Sequence, residues 1–298
     1  MGKLLLIVNP AAGVGRGKRA GEEIIRLYEG HAWQCTPRST EGAGDAARFA
    51  REEAAAHDLV LCVGGDGTLS ETLGGLTQVE NAPPLCYVPM GSTNDLALSA
   101  GLPRDPLAAA GVGLTGTPCA IDAGSFDGRV FSYVASFGAF TRTSYATDRA
   151  LKNRIGHLAY IITAAQELGH ITSYPVRVET PEETIEGDFL FGSLCNTRSI
   201  GGMLKLPVDK KDLRDGLHEL LMLRKPARVT DLSTLIPSLL AGKFDHPLLV
   251  YRHVPHAIFH LPDELPWSLD GERADAGTRV EIRNLHNAYR LMLPESIG

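Results

Sequence analysis

One short segment combines glycine, hydroxyl and carboxylate groups in a way suited to binding phosphate and metal. Gly64-Gly65-Asp66-Gly67-Thr68 follows an apolar run and precedes a helical pattern. Glycines let backbone N–H groups approach phosphate oxygens, and the start of a helix adds a favourable dipole. Asp66 would repel a bare phosphate, so the segment favours a divalent cation between carboxylate and phosphate. The alternative is a tight turn in which Asp66 caps the helix.

A second segment near the N-terminus is rich in glycine and positive charge. The run Asn9–Arg19 contains three glycines and the cations Arg16, Lys18 and Arg19 at the start of a helical pattern. It has neither the dinucleotide pattern G-x-G-x-x-G nor the Walker A spacing. The cations alone would also suit a solvated helix face. Glycine-rich backbone together with clustered charge favours phosphate contact, with Arg16 and Lys18 as the candidate side chains.

A third segment, Pro89-Met90-Gly91-Ser92-Thr93-Asn94-Asp95, again combines glycine, hydroxyl, amide and carboxylate groups. Alone, it would also fit a run of helix N-caps. Three such turns beside one another indicate a nucleoside triphosphate bound with magnesium, with Ser92, Asn94 and Asp95 at the site.

Alternating strands and helices must position these turns. The predicted strands are Lys3–Val8, Ala32–Thr36, Asp58–Val63 and Leu85–Pro89, and the predicted helices are Gly17–Tyr28, Gly44–Ala56, Thr68–Leu76 and Asn94–Ala100. This alternation predicts a parallel sheet with right-handed crossovers. All strand-to-helix turns of such a sheet lie at the carboxyl ends of its strands. The turns are therefore expected to share one rim.

The pattern changes after about Asp122. Strand-like segments separated by glycine and proline turns predict an antiparallel sheet or sandwich. They are Ser125–Phe137, Val176–Thr180, Thr184–Asn196, His218–Leu223 and Leu248–Leu261. Two helices, Arg154–Leu168 and Val229–Ala241, are predicted between them from apolar residues at helical spacing.

Bulk composition limits the functional classes. A chain of 298 residues is long enough for two domains. The net charge of −6 argues against sequence-independent nucleic-acid binding, so no nucleic acid is expected as a partner. Five widely spaced cysteines fit a reducing cytoplasm and lack a zinc spacing. No apolar run is long enough to span a membrane, so any membrane contact is expected to be peripheral, at the inner face.

The ordered motifs resemble those of the diacylglycerol kinase catalytic family, in its bacterial branch. They are N-P-A-A-G (Asn9–Gly13), G-G-D-G-T (Gly64–Thr68), P-M-G-S-T-N-D (Pro89–Asp95), I-D-A-G (Ile121–Gly124), D-G-L (Asp215–Leu217) and P-W-S-L-D-G-E (Pro266–Glu272). G-G-D-G-T alone is shared with NAD kinases and phosphofructokinases, whereas the ordered set is specific and spans nearly the whole chain. The resemblance implies an NAD-kinase-like α/β domain and a C-terminal antiparallel β-sandwich. The expected boundaries are 1–122 with 287–298 returning to it, and 123–286.

The resemblance also implies roles for individual residues. ATP contacts are expected at Asn9, Pro10, Ala11, Ala12, Gly13, Thr40, Gly65, Asp66, Gly67, Thr68, Leu69, Ser70, Glu71 and Ser92, beside Gly64. Catalytic carboxylates are expected at Asp66, Asp122, Asp270 and Glu272. A structural magnesium site is expected at the Asp215 side chain with backbone carbonyls near Asp212 and Leu217.

The implied activity is transfer of the γ-phosphoryl group of ATP, with Mg²⁺, to a diacylglycerol-like lipid presented by a membrane. Asp270 or Glu272 would accept the proton of the lipid hydroxyl. The residues leave that choice open, because Asp270-Gly271 is also a good hairpin turn. Three alternatives remain open. The lipid acceptor could be a sphingoid base, ceramide or phosphatidylglycerol, the activity could be that of an NAD kinase, or the protein could be a non-catalytic module that binds lipid or nucleotide. The oligomeric state is open, with a homodimer among the options.

Overall fold

The computed structural model describes residues 1–92, 94–138, 172–197, 199–200, 204–206, 213–228, 231–241, 243–262 and 265–295. The predicted helix Arg154–Leu168 and the predicted metal ligand Asp212 lie outside these residues. By its internal contacts the chain divides into two compact units. Unit 1 comprises Met1–Ala123, Arg129–Ser132 and His286–Gly298, and unit 2 comprises Gly124–Gly128 and Tyr133–Leu285.

Unit 1 alternates strands and helices through its first half. Its elements are β1 (Lys3–Val8), α1 (Ala12–Gly15), α2 (Gly17–Gly30), β2 (Gln34–Ser39), α3 (Asp45–Glu53), β3 (Leu59–Gly64), α4 (Asp66–Leu76), β4 (Leu85–Pro89), α5 (Asp95–Ala100) and α6 (Pro106–Thr115). A 3-10 turn at Ala54–Ala56 follows α3. The strand order is β4-β3-β1-β2, and every one of these neighbours pairs in parallel. The predicted parallel sheet is confirmed.

The parallel strands are apolar because both faces of the sheet are covered. All six residues of β3 and all five of β4 are buried. Helix α2 places Ala20, Ile24 and Tyr28 against this core, and the Tyr28 hydroxyl donates to the Ala110 carbonyl of α6 at 2.9 Å. A buried hydroxyl without such a partner would be destabilising. This packing fixes the carboxyl ends of the strands, where the candidate site lies.

The later elements are mainly strands. They are β5 (Thr117–Phe126), β6 (Arg129–Phe131), β7 (Val134–Gly138), β8 (Tyr174–Glu179), β9 (Thr184–Cys195), β10 (Ser199–Ile200), β11 (Leu204–Lys205), β12 (His218–Arg224), α7 (Leu232–Leu240), β13 (Leu249–Val254), β14 (His256–His260), β15 (Trp267–Leu269), β16 (Glu272–Ala274) and β17 (Arg279–Leu293). Within unit 2, strand β9 pairs antiparallel with β7, β8 and β12, and β7 with β15. The predicted antiparallel architecture of the C-terminal part is confirmed.

Aromatic side chains form much of the core of unit 2. Trp267 is fully buried, and its ring lies 4.9 Å from that of Phe137, 5.1 Å from Phe126 and 5.2 Å from Phe259. These are favourable tilted or edge-on contacts. They fix strand β15, which leads directly into Asp270.

Several predicted boundaries are wrong, each for a local reason. The predicted strand Ser125–Phe137 is divided, because the chain turns at Asp127 and Gly128, which have φ angles of 47° and 89°. The predicted strand Leu248–Leu261 is divided at Pro255, which lacks an N–H for pairing. Helix α6 was not predicted, although Asp105 caps it by accepting from the Ala108 N–H at 2.9 Å.

The C-terminal strand β17 contributes to both units. Its first part pairs with β14 in unit 2, from Arg279 to Arg283, and Leu291 pairs in parallel with Leu85 of β4 in unit 1. Among the described helices, none has the length and apolar character needed to cross a membrane.

Candidate active site

The loop after β1 is bonded to the ends of the two neighbouring strands. The Asn9 N–H donates to the Val63 carbonyl at 2.9 Å, and the Gly13 N–H donates to the Met90 carbonyl at 2.9 Å. The Asn9 side chain also donates to the Thr68 hydroxyl at 3.1 Å. The N-P-A-A-G segment therefore lies beside the starts of the next two loops, as the prediction of a shared rim requires.

Glycine is needed where this loop enters helix α2. A Cβ built on Gly17 would lie 2.1 Å from the Asn9 carbonyl oxygen, far inside van der Waals contact. Gly13 and Val14 adopt left-handed conformations, with φ of 60° and 59°. Arg16 donates from Nε to the Gly13 carbonyl at 2.9 Å. The tight turn thus brings consecutive backbone groups and a cation to the same rim.

Asp66 joins the loop after β3 to the loop after β4. It is the first residue of α4, and its Oδ2 accepts the Asn94 N–H at 3.0 Å. Asn94 has φ of 53°, and its Oδ1 accepts the Gly91 N–H at 2.8 Å. A Cβ on Gly91 would lie 2.9 Å from the Gly65 Cα, so the two loops touch through glycine backbone.

The loop after β2 reaches the same part of unit 1. The Thr40 N–H donates to the Val8 carbonyl at 2.9 Å. The Glu71 carboxylate of α4 accepts the Gly44 N–H at 2.9 Å and the Ala46 N–H at 3.3 Å, at the start of α3. The loops after β1, β3 and β4 are thus joined to one another, and the loop after β2 is bonded to the end of β1 and to α4 at the same edge of the parallel sheet.

Asp45 accepts several hydrogen bonds in the loop between β2 and α3. Its Oδ2 accepts the backbone N–H groups of Glu41 at 2.8 Å and Gly42 at 3.0 Å. The Glu41 N–H, the Arg48 guanidinium and the Gly42 N–H hold the pKa of the Asp45 carboxyl below its ordinary value. A carboxylate that stays ionised strengthens these hydrogen bonds to the loop backbone at Glu41 and Gly42.

The remaining predicted nucleotide contacts differ in accessibility. Arg16, Lys18 and Ser92 are exposed, Leu69 and Asp95 are buried, and Pro10, Ala12, Gly64, Gly67 and Ser70 are in the three loops or the first turn of α4. Arg19 forms an ion pair with Glu23 at 2.9 Å. Leu69 is fully buried and its N–H donates to the Gly65 carbonyl at 3.0 Å, whereas Arg16 and Lys18 project charge into solvent.

Asp122 is held by residues that sequence reasoning missed. It is fully buried, and its Oδ1 accepts from His286 Nδ1 at 3.0 Å and from the Asn287 N–H at 2.7 Å. His286 and Asn287 lie in the middle of β17, separated from Asp122 by more than half the chain. No local motif marks them.

Asp270 and Glu272 occupy different environments in unit 2. Asp270 and Gly271 have φ of 52° and 89° and form the turn of the β15–β16 hairpin. Asp270 is 5% exposed, and its Oδ1 accepts the N–H groups of Tyr133 at 2.9 Å and Val134 at 3.0 Å. Glu272 is exposed. Asp270 and Gly271 therefore form the hairpin turn that the sequence also allowed, and the catalytic role expected for either carboxylate stays a prediction.

The predicted second metal site is described only in part. Asp215 Oδ1 accepts the Leu217 N–H at 2.9 Å across Gly216, which has φ of 80°. The Leu217 carbonyl accepts from Asn284 Nδ2 at 3.0 Å. A carboxylate beside a backbone carbonyl is a donor set that Mg²⁺ or Ca²⁺ accepts. Within the described part of the chain, no group of three or more His, Cys, Asp or Glu side chains is arranged to hold a metal ion.

Comparison with known proteins identifies the family. The diacylglycerol kinase catalytic domain profile matches residues 3–126. A Bacillus subtilis protein named diacylglycerol kinase is 28% identical over 99% of this chain and 97% of its own length. A protein of the same name from Staphylococcus carnosus is 30% identical over 90% of this chain and 87% of its own.

Solved structures share the fold. The crystal structure of a protein described as a diacylglycerol kinase from Bacillus anthracis aligns over 99% of this chain and 98% of its own, with a TM-score of 0.76 and 20% identity. Another structure from that organism aligns over 99% of this chain and 96% of its own, with a TM-score of 0.81 and 22% identity. Because its sequence is similar to these proteins over nearly its whole length, and because its loops have the geometry described above, this chain belongs to the diacylglycerol kinase catalytic family and is a kinase.

Proposed function

We propose that the protein transfers the γ-phosphoryl group of ATP to the hydroxyl of diacylglycerol, or of a closely related lipid, to form a phospholipid such as phosphatidic acid. One observation carries the proposal: the four strand-to-helix loops of unit 1 are held by hydrogen bonds at the carboxyl ends of its parallel strands, with Asp66 between two of them. The activity named for the relatives from Bacillus and Staphylococcus agrees with it.

The four loops supply what a triphosphate needs. Gly13, Gly65 and Gly91 place no side chain on these loops, so phosphate oxygens can come close to the loop backbone. Exposed Arg16 and Lys18 add positive charge beside them. Phosphoryl transfer depends mainly on positioning and charge neutralisation, so preorganised N–H groups and cations account for most of what the protein must do.

The residues fit a magnesium ion bound with the nucleotide. Asp66 offers carboxylate oxygens at the start of α4, half-buried and fixed through the Asn94 N–H. The contact between Gly65 and Gly91 leaves no side chain on either loop at this point. Mg²⁺ prefers oxygen ligands and keeps several waters, and it would supply charge neutralisation at the phosphates.

Glu272 is the candidate general base. Asp270 is buried and uses Oδ1 to accept two backbone N–H groups, so its carboxylate has a structural task. Glu272 is exposed and two residues further along the same hairpin. In the proposed reaction Glu272 accepts the proton of the lipid hydroxyl while the hydroxyl oxygen bonds to the γ-phosphorus. The bond between the γ-phosphorus and the β–γ bridging oxygen breaks, and ADP leaves.

The lipid acceptor implies a membrane as partner. A diacylglycerol resides in a bilayer, so the protein would act by peripheral contact with the membrane surface. Nucleic acid is not proposed as a partner, because the net charge of −6 opposes it.

The function is tested by identifying the product. The protein is incubated with Mg-ATP and vesicles that contain diacylglycerol, ceramide, a sphingoid base and phosphatidylglycerol, and the lipids are analysed by mass spectrometry. We expect a mass increase of one phosphoryl group on diacylglycerol. Phosphorylation of another lipid alone would change the assigned substrate, and formation of NADP from added NAD without any lipid product would refute the proposal.

A further inference from the structure

The Asp122 carboxylate is held by two consecutive residues of the C-terminal strand. Asp122 is fully buried, and its Oδ1 accepts from His286 Nδ1 at 3.0 Å and from the Asn287 N–H at 2.7 Å. Burying a carboxylate is unfavourable unless it is hydrogen-bonded. These two donors therefore satisfy the buried carboxylate oxygen and fix the orientation of the side chain.

The His286 ring is oriented at both nitrogens. Nδ1 contacts Asp122, and Nε2 contacts Asn287 Nδ2 at 2.8 Å. A neutral imidazole with its proton on Nδ1 satisfies both contacts, because it donates to the carboxylate and accepts from the amide. The side chain of His286 is 54% exposed, so these hydrogen bonds rather than close packing hold the ring.

The backbone of Asn287 is specialised for this contact. Its φ of 53° is left-handed, a conformation that asparagine tolerates better than most residues. The kink lies between the part of β17 that pairs with β14, which ends at Arg283, and Leu291, which pairs with β4. It directs the Asn287 N–H to the carboxylate rather than into a regular ladder.

We infer that His286 and Asn287 are positioning residues for the Asp122 carboxylate, one of the carboxylates that the family resemblance assigns to catalysis; the inference rests on that assignment and on the proposed kinase function. The residues of a site are held by such supporting hydrogen bonds, and loss of one changes rates without removing any group that touches the substrate. The competing explanation is that Asp122 merely anchors β17 to unit 1, which predicts a change in stability and none in turnover.

Three variants separate these explanations. His286→Leu removes the Nδ1 donor, His286→Asn restores an N–H donor near the same place, and Asn287→Gly keeps the backbone N–H and the left-handed conformation but removes the Nε2 contact. Each is compared with the wild type for kcat, for KM of ATP and of diacylglycerol in vesicles, and for the thermal unfolding transition.

For His286→Leu we expect kcat to fall roughly tenfold with both KM values within about twofold of wild type. We expect His286→Asn to recover most of that loss and Asn287→Gly to lose about two- to threefold. Wild-type kcat in a folded His286→Leu, or equal loss in His286→Leu and His286→Asn, would overturn the inference. If His286→Leu does not fold, the Asn287→Gly variant tests the inference instead. A kcat of Asn287→Gly equal to that of the wild type would then refute the positioning role. A wild-type protein that phosphorylates no lipid refutes the proposed function itself and the inference with it.

Discussion

Replacing Asp270 with alanine removes the acceptor of two buried backbone N–H groups. Those of Tyr133 and Val134 donate to Asp270 Oδ1 at 2.9 and 3.0 Å. Each buried donor left without its partner costs about 1–3 kcal/mol. Alanine must also take the left-handed φ of 52°, which costs roughly 1 kcal/mol more. We therefore expect Asp270→Ala to lower the free energy of unfolding of unit 2 by about 3–7 kcal/mol.

Asp270→Asn is the matched control. Its amide oxygen can accept the same two N–H groups, and asparagine tolerates a positive φ, so only the charge-assisted part of the bonds is lost. We expect a loss of about 1 kcal/mol.

The assay uses the distribution of tryptophans between the units. The chain has two tryptophans, and in a Trp33→Phe background the buried Trp267 beside the hairpin reports on unit 2 alone. Urea unfolding is followed by the fluorescence of Trp267 in the Trp33→Phe protein and in the same protein with each Asp270 substitution. A loss below about 1 kcal/mol for Asp270→Ala, or equal losses for alanine and asparagine, would refute the structural role assigned to this carboxylate.

Three further changes test other parts of the account. Glu272→Gln should lower kcat at least about 100-fold with an unchanged urea midpoint, and near-normal turnover would remove Glu272 as the base. Gly17→Ala should raise KM for ATP several-fold, because its Cβ would lie 2.1 Å from the Asn9 carbonyl oxygen; an unchanged KM would show that the loop relaxes freely. Burial lowers the pKa of His218 to about 3 in the folded protein, whereas the unfolded chain binds a proton near the ordinary value of 6.5. The free energy of unfolding is therefore unaffected by this residue above pH 6.5 and falls as the pH decreases from 6.5 toward 3. Unit 2 should lose ~2 kcal/mol between pH 8 and pH 5, and a His218→Gln variant that loses as much would contradict this.

The sequence was most informative where local pattern and local structure coincide. Strands β1 and β4 begin and end at the predicted residues, because their apolar runs are buried on both faces and bounded by turn residues. The shared rim followed from the alternation of strands and helices, since parallel strands place all such turns at one edge. Helix α6 carried a readable signal as well, an Asp105 N-cap followed by Pro106.

Long-range contacts could not be read in the same way. The bonds from His286 and Asn287 to Asp122, and from Tyr133 and Val134 to Asp270, join residues far apart in the chain and depend on strand registers that no local motif encodes. The proposed choice of Glu272 over Asp270 as the base rests on the backbone of the hairpin, because both carboxylates look equally suitable in the sequence.

The role of Asp66 at the shared rim is tested most directly by following the γ-phosphate of ATP. Wild type and Asp66→Asn, matched for folding by circular dichroism, are incubated with γ-³²P-labelled Mg-ATP, diacylglycerol vesicles and, in parallel, NAD. We expect label in a chloroform-soluble product with wild type and a loss of at least about 100-fold with Asp66→Asn, as for removal of a charge-stabilising group at a transition state. Wild-type transfer by a folded Asp66→Asn protein, or label in NADP and none in lipid, would contradict the account.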